Sequence, residues 1–169
     1  MKKTVLVFGL LSGAVSSVMM LATVPFMDRI GFDNGGYVGY TAIILSFLLV
    51  YFGIRSHRDN VNGGRITFGQ ALLIGMLITV ISCVFYVATW EVIYFNFTPD
   101  FLDKYADYVI QKAKAAGATE QALAQQAKQM AEFKVMYQNP LINVAMTFVE
   151  PFPVGVIITL ISALALRKK

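Results

Sequence analysis

The sequence predicts an all-α integral membrane protein, with four transmembrane helices and an extracytoplasmic amphipathic helical hairpin between the third and fourth. Three observations predict it. Of the 169 residues, 57% are apolar and only 14% charged, at a mean hydropathy of +0.63, whereas a soluble domain carries about a quarter charged residues. The apolar residues gather into four runs near the ~20 residues a helix needs to cross hydrocarbon. The basic residues flank those runs instead of forming a patch, so the net charge of +4 is a topology signal and not a nucleic-acid footprint.

Residues 1–169 read as a single membrane domain. Lys2 and Lys3 open the chain, and an apolar run reaches Phe26 before Asp28 and Arg29 interrupt it. The basic start resembles a secretory signal, but signal cores are only about 7–15 residues. No A-x-A-like cleavage site precedes Pro25. The run is therefore a first span at about 4–26. Gly31 to Gly36, with Asp33 and Asn34, has turn composition, and the second span follows at 37–54. Arg55 to Arg65 is a short polar loop, in which His57 reads as a solvated residue. The third span, 67–95, is longer than a bilayer requires, so it tilts or projects. Trp90, Tyr94, Phe95 and Phe97 form an aromatic belt at its far end.

Composition changes over 98–139, which is polar and alanine-rich. Thr98-Pro99-Asp100 reads as an N-cap, a proline at the first helical position and an acid in the first turn. Gly117 stops that helix, Thr119 caps a second, and Asn139-Pro140 ends it. Phe101, Tyr105, Tyr108 and Val109 stripe the first helix; Leu123, Ala127, Met130, Phe133 and Tyr137 stripe the second. The two stripes predict an antiparallel hairpin. The fourth span is 141–166, closed by Arg167-Lys168-Lys169. The N-terminus, the 55–65 loop and the C-terminus are basic, the first loop has only Arg29, and the hairpin balances five lysines against five acids. Four spans put all three basic regions on the cytoplasmic side. A faint parallel repeat pairs Phe8-Gly9 with Phe68-Gly69, although apolar helices also resemble one another by chance.

Glu150 is the most informative residue. It lies about nine positions into the last span, roughly 13 Å deep. A carboxylate at that depth is costly, so it is expected to face the bundle interior, pair, or carry a proton. Pro151 and Pro153 follow it, and each removes an amide donor from the helix. Trp90 and Glu91 form a second candidate locus near the outer interface. Gly9, Gly13 and Ser17, at four-residue spacing, mark a helix-packing face. Cys83 is a lone thiol in an apolar run, which excludes an internal disulfide or a cysteine metal cluster. With one histidine, no nucleophile–base set and no phosphate-loop or zinc motif, the chain reads as a non-enzyme without metal or cofactor.

Several strings carry a resemblance when taken together: Tyr51-Phe-Gly-Ile-Arg-Ser-His-Arg-Asp59, Gly63-Gly-Arg-Ile-Thr-Phe-Gly69, Trp90-Glu91, Phe133-Lys134 with Met136-Tyr137, Asn139-Pro140, and Glu150-Pro-Phe-Pro-Val-Gly155. Over nearly its whole length the chain resembles a family of small membrane proteins, mainly of Bacteroidota, filed as domain of unknown function 4199. His57 stands where such sequences often carry an aromatic residue. The resemblance implies a four-span protein of the bacterial inner membrane and supplies no activity. Two functional readings follow. The first is an interaction or accessory protein that uses the hairpin, with membrane lipid, a protein partner at the hairpin and a homo-oligomer as its partners. The alternative is a small oligomeric carrier or channel for a proton, cation or small solute, using Glu150 and Glu91.

Overall fold

A computed structural model describes residues 1–168 of the chain. Seven α-helices follow in order: α1 (Lys2–Thr23), α2 (Met27–Asn60), α3 (Phe68–Asn96), α4 (Phe101–Ala115), α5 (Glu120–Tyr137), α6 (Pro140–Val149) and α7 (Pro151–Leu166). A 3₁₀ turn, Val24–Phe26, joins α1 to α2. Three segments are long and apolar enough to cross a membrane: Lys2–Asn60, Phe68–Asn96 and Pro140–Leu166.

The first of these segments is not one rod. Thr4 meets His57 and Ser12 meets Ser46, so α2 returns antiparallel along α1. The reversal lies at the 3₁₀ turn and at Gly31, whose φ of 66° leaves the helical region and favours glycine. The turn expected over Gly31–Gly36 is thus confined to its first residue. Asn34 Nδ2 donates to Ile30 O across the break at 3.3 Å, and Gly35 and Gly36 are helical. Keeping them helical satisfies the backbone internally, which outweighs glycine's ~1 kcal/mol helix penalty.

The chain forms two compact units, one of Met1–Trp90 with the segment from Thr147 onward, the other of Glu91–Met146. In the first unit a core of Ile43, Phe47, Val50, Ile54, Ile74 and Ile78 is fully or almost fully buried. Three basic regions meet at one end of this unit. Ile66 and Lys168 exchange backbone hydrogen bonds of 3.0 and 2.9 Å, and Arg58 donates to Leu166 O at 3.4 Å. His57 departs from the expected solvated loop: α2 continues to Asn60, which places the imidazole in its last turn, 5% exposed. Its Nδ1 lies 3.4 Å from Thr4 Oγ1.

In the second unit α4 and α5 pack as an antiparallel pair. An ion pair from Lys134 to Asp103 joins the end of α5 to the start of α4. Tyr94 and Tyr137 meet edge-on at 5.3 Å, and Phe133 stacks near Tyr137 at 5.5 Å. Thr119 caps α5 by accepting from Ala122 N, and Gly117, at φ 82°, terminates α4. The start of α4 differs from expectation. The amides of Phe97 and Thr98 both donate to Ile93 O, closing the end of α3, and the Thr98 hydroxyl donates to the same carbonyl at 3.4 Å. Thr98 is therefore occupied, and the N-cap position passes to Asp100.

Candidate functional site

The last apolar segment carries the main candidate. Pro151 and Pro153 have no amide to donate to the carbonyls of Thr147 and Val149, the positions four residues back that a helix would bond. The helix divides there into α6 and α7, although Glu150 itself keeps helical angles of φ −67° and ψ −59°. Thr147, Pro151, Gly155 and Thr159 are all buried. This four-residue step defines the inner face of the segment. Glu150 sits one position before Pro151 and is exposed at the edge of that face; of the three outcomes expected of it (an interior position, a partner or a proton), the structure supplies a partner. The register explains its exposure: proline, glycine and threonine allow the closest approach, so they take the inner face and turn the acid outward. Tyr86, half-buried on α3, donates its hydroxyl to Glu150 Oε2 at 2.9 Å.

Beneath this pair the core is sealed by glycines and hydroxyls. A Cβ on Gly75 would fall 2.5 Å from Thr159, and one on Gly155 would clash with Thr79. Thr79 and Thr159 hydrogen bond to each other at 3.1 Å. Helices α3 and α7 thus interlock through reciprocal glycine–threonine contacts and run antiparallel. On the other side of α3, Gly9 lies against Ile81, Gly13 against Phe85, and Ser17 bonds Thr89 at 2.7 Å. Each pair is offset by the same register, so α1 and α3 run parallel. Ser12 donates to Ser46 O and bonds Ser82 Oγ, both at 2.9 Å. Gly69, matched to Gly9 by the faint repeat, faces open space, so that pairing has no common packing role.

A family model described as protein of unknown function (DUF4199) matches residues 7–168. The chain belongs to that family. No curated protein and no solved structure matches it. In this DUF4199 member the two carboxylates singled out from sequence fall in different units. Glu150 is in the first. Glu91 is in the second, half-buried, with Oε1 enclosed and without a hydrogen-bond partner among the described residues. Trp90 is half-buried at the boundary of the first unit. No three His, Cys, Asp or Glu side chains converge as a metal site among the described residues. Cys83 is fully buried and unpaired. Tyr86, Thr79 and Thr159 went unnoticed in the sequence. The equal spacing of Gly75-x-x-x-Thr79 and Gly155-x-x-x-Thr159 is the signal that finds the last two.

Proposed function

We propose that the chain is a four-span protein of the bacterial inner membrane, both termini cytoplasmic, which docks a protein partner on an extracytoplasmic hairpin formed by α4 and α5. Two contacts support four spans over three: α2 folds back along α1, and the basic N-terminus, 55–65 loop and C-terminus gather at one end. A shared basic end is what the positive-inside rule requires of four crossings.

One observation carries the docking reading. Lys134 is tied to Asp103 and Tyr137 packs on Tyr94, yet Val135 and Met136 between them are 71% and 44% exposed. Adjacent apolar side chains left open on an otherwise polar helix pair mark an interaction surface. A carrier reading is less well supported, because glycine contacts and mutually bonded hydroxyls fill the space between helices that a solute would need. No catalytic step is proposed. The test is a photo-reactive side chain at position 135 in native membranes. A discrete protein adduct, lost in Met136→Glu, supports the reading; adducts with lipid alone overturn it. An adduct of twice the chain's own mass assigns the surface to a homo-oligomer.

A further inference from the structure

Glu150 is the eleventh residue of the 27-residue segment Pro140–Leu166, in the middle third of its length, which is the depth at which a spanning helix meets the centre of a bilayer. Its outward row continues through Pro153, Ile157 and Ile161, all exposed, the two isoleucines at 56% and 60%. Lipid tails cover isoleucine without cost. They offer nothing to a carboxyl group, whose only hydrogen-bond partner among the described residues is Tyr86. A carboxylate is an acceptor on both oxygens, so the complement to this face is an apolar helix carrying a donor at the same depth.

We propose that the Glu150 row is the docking surface for a transmembrane helix of another protein, one that bears a lysine or arginine level with Glu150. A second copy does not fit this description. Inside the apolar runs of this chain there is no Lys or Arg: the basic residues stand at 2, 3, 29, 55, 58 and 65, in the α4–α5 region, and after Leu166. A charge pair at mid-membrane therefore requires a different chain. The inner face of α7 is buried, and Tyr86 holds the carboxyl by a single hydrogen bond. The proposal is independent of the hairpin reading.

The test uses the full chain in phosphatidylcholine vesicles with dye-labelled leucine–alanine transmembrane peptides. One peptide carries a central lysine and the other a leucine there. Energy transfer from the protein should show the lysine peptide binding about tenfold more tightly. Glu150→Gln should abolish the preference, and Glu150→Asp should retain part of it. Pro153→Lys, which supplies a cation one turn away in the same chain, should also abolish it; this keeps the test decisive if Glu150→Gln folds poorly. Equal binding of both peptides to the wild type, or an undiminished preference in Glu150→Gln, overturns the proposal. So does self-association through Glu150 in the absence of peptide. Val135→Glu should leave the preference unchanged, so failure at the hairpin and failure here are separable.

Discussion

Two carboxylates show how much the environment of one residue decides. The Oε1 of Glu91 is enclosed without a hydrogen-bond partner among the described residues, and an unsatisfied buried acceptor is a standing cost. Glu91→Gln keeps the shape and removes the charge. We expect it to leave stability unchanged or raise it by up to ~1 kcal/mol, measured by denaturant unfolding in detergent; a loss of several kcal/mol would mean that the carboxylate is paired in the membrane. Asp100 lies outside the spans, and its hydrogen bond to Lys104 (3.1 Å) holds its carboxyl below the usual carboxylate range. A depressed folded pKa stabilises the native form above the unfolded value near 3.8, and the benefit disappears as pH falls through the folded value. Amides at the start of α4 should therefore lose protection, relative to their intrinsic exchange rate, below that range, an effect absent in Asp100→Asn. Exposure keeps it small. Such details are hard to read from sequence. That Thr98 would be claimed by the end of α3 depended on where α3 stops, and that Glu150 would point outward depended on the four-residue step of its neighbours.

At the scale of helices, the small residues separate into those that touch and those that do not. Gly9 and Gly13 lie against α3, while Gly35 and Gly39 at the same spacing face open space. Spacing alone does not distinguish the two sets, because a membrane helix tolerates glycine on a lipid face as readily as at an interface. What distinguishes them is a matching surface on the facing helix, and the paired glycine–threonine motifs of α3 and α7 provide one. Gly155→Leu would drive a branched side chain into Thr79 and Phe47 and should cost about 1–3 kcal/mol through overpacking. Gly39→Leu, on an open face, should cost under ~1 kcal/mol. Thr79→Val removes the hydroxyl's hydrogen bonds to Thr159 and to Gly155 O and should cost about 0.6 kcal/mol for each. Unfolding of each variant in mixed micelles gives the order; equal costs at positions 39 and 155 would contradict the interlock. The break at Glu150 was legible at this scale, since two prolines within three residues remove two helix donors whatever the tertiary context.

For the whole molecule the length of the first helical segment bears on how often the chain crosses. Lys2–Asn60 is continuous in helical composition, with only a 3₁₀ turn and one positive-φ glycine inside it. As a straight rod its 59 residues would be about 89 Å long, nearly three times the hydrocarbon core. Returning at Gly31 gives two arms, and α1, at 22 residues, measures about 33 Å, a match to one bilayer. The return also brings Thr4 beside His57, which supports a shared side for the N-terminus and the 55–65 loop. The Ile66–Lys168 pairing brings the C-terminus to the same end, which is the arrangement that the proposed four crossings require. On the proposed topology, single cysteines at 3, 62 and 168 in a Cys83→Ser background should react with an impermeant thiol reagent from the cytoplasmic face alone. A cysteine at 125, in α5, should react from the opposite face. Labelling of 62 and 168 from opposite faces would require three crossings and would break the Ile66–Lys168 pairing. Because Cys83 is fully buried, its own labelling in the unmodified chain should be negligible until the bundle unfolds, which provides an internal check that the reagent is reporting topology in a folded protein.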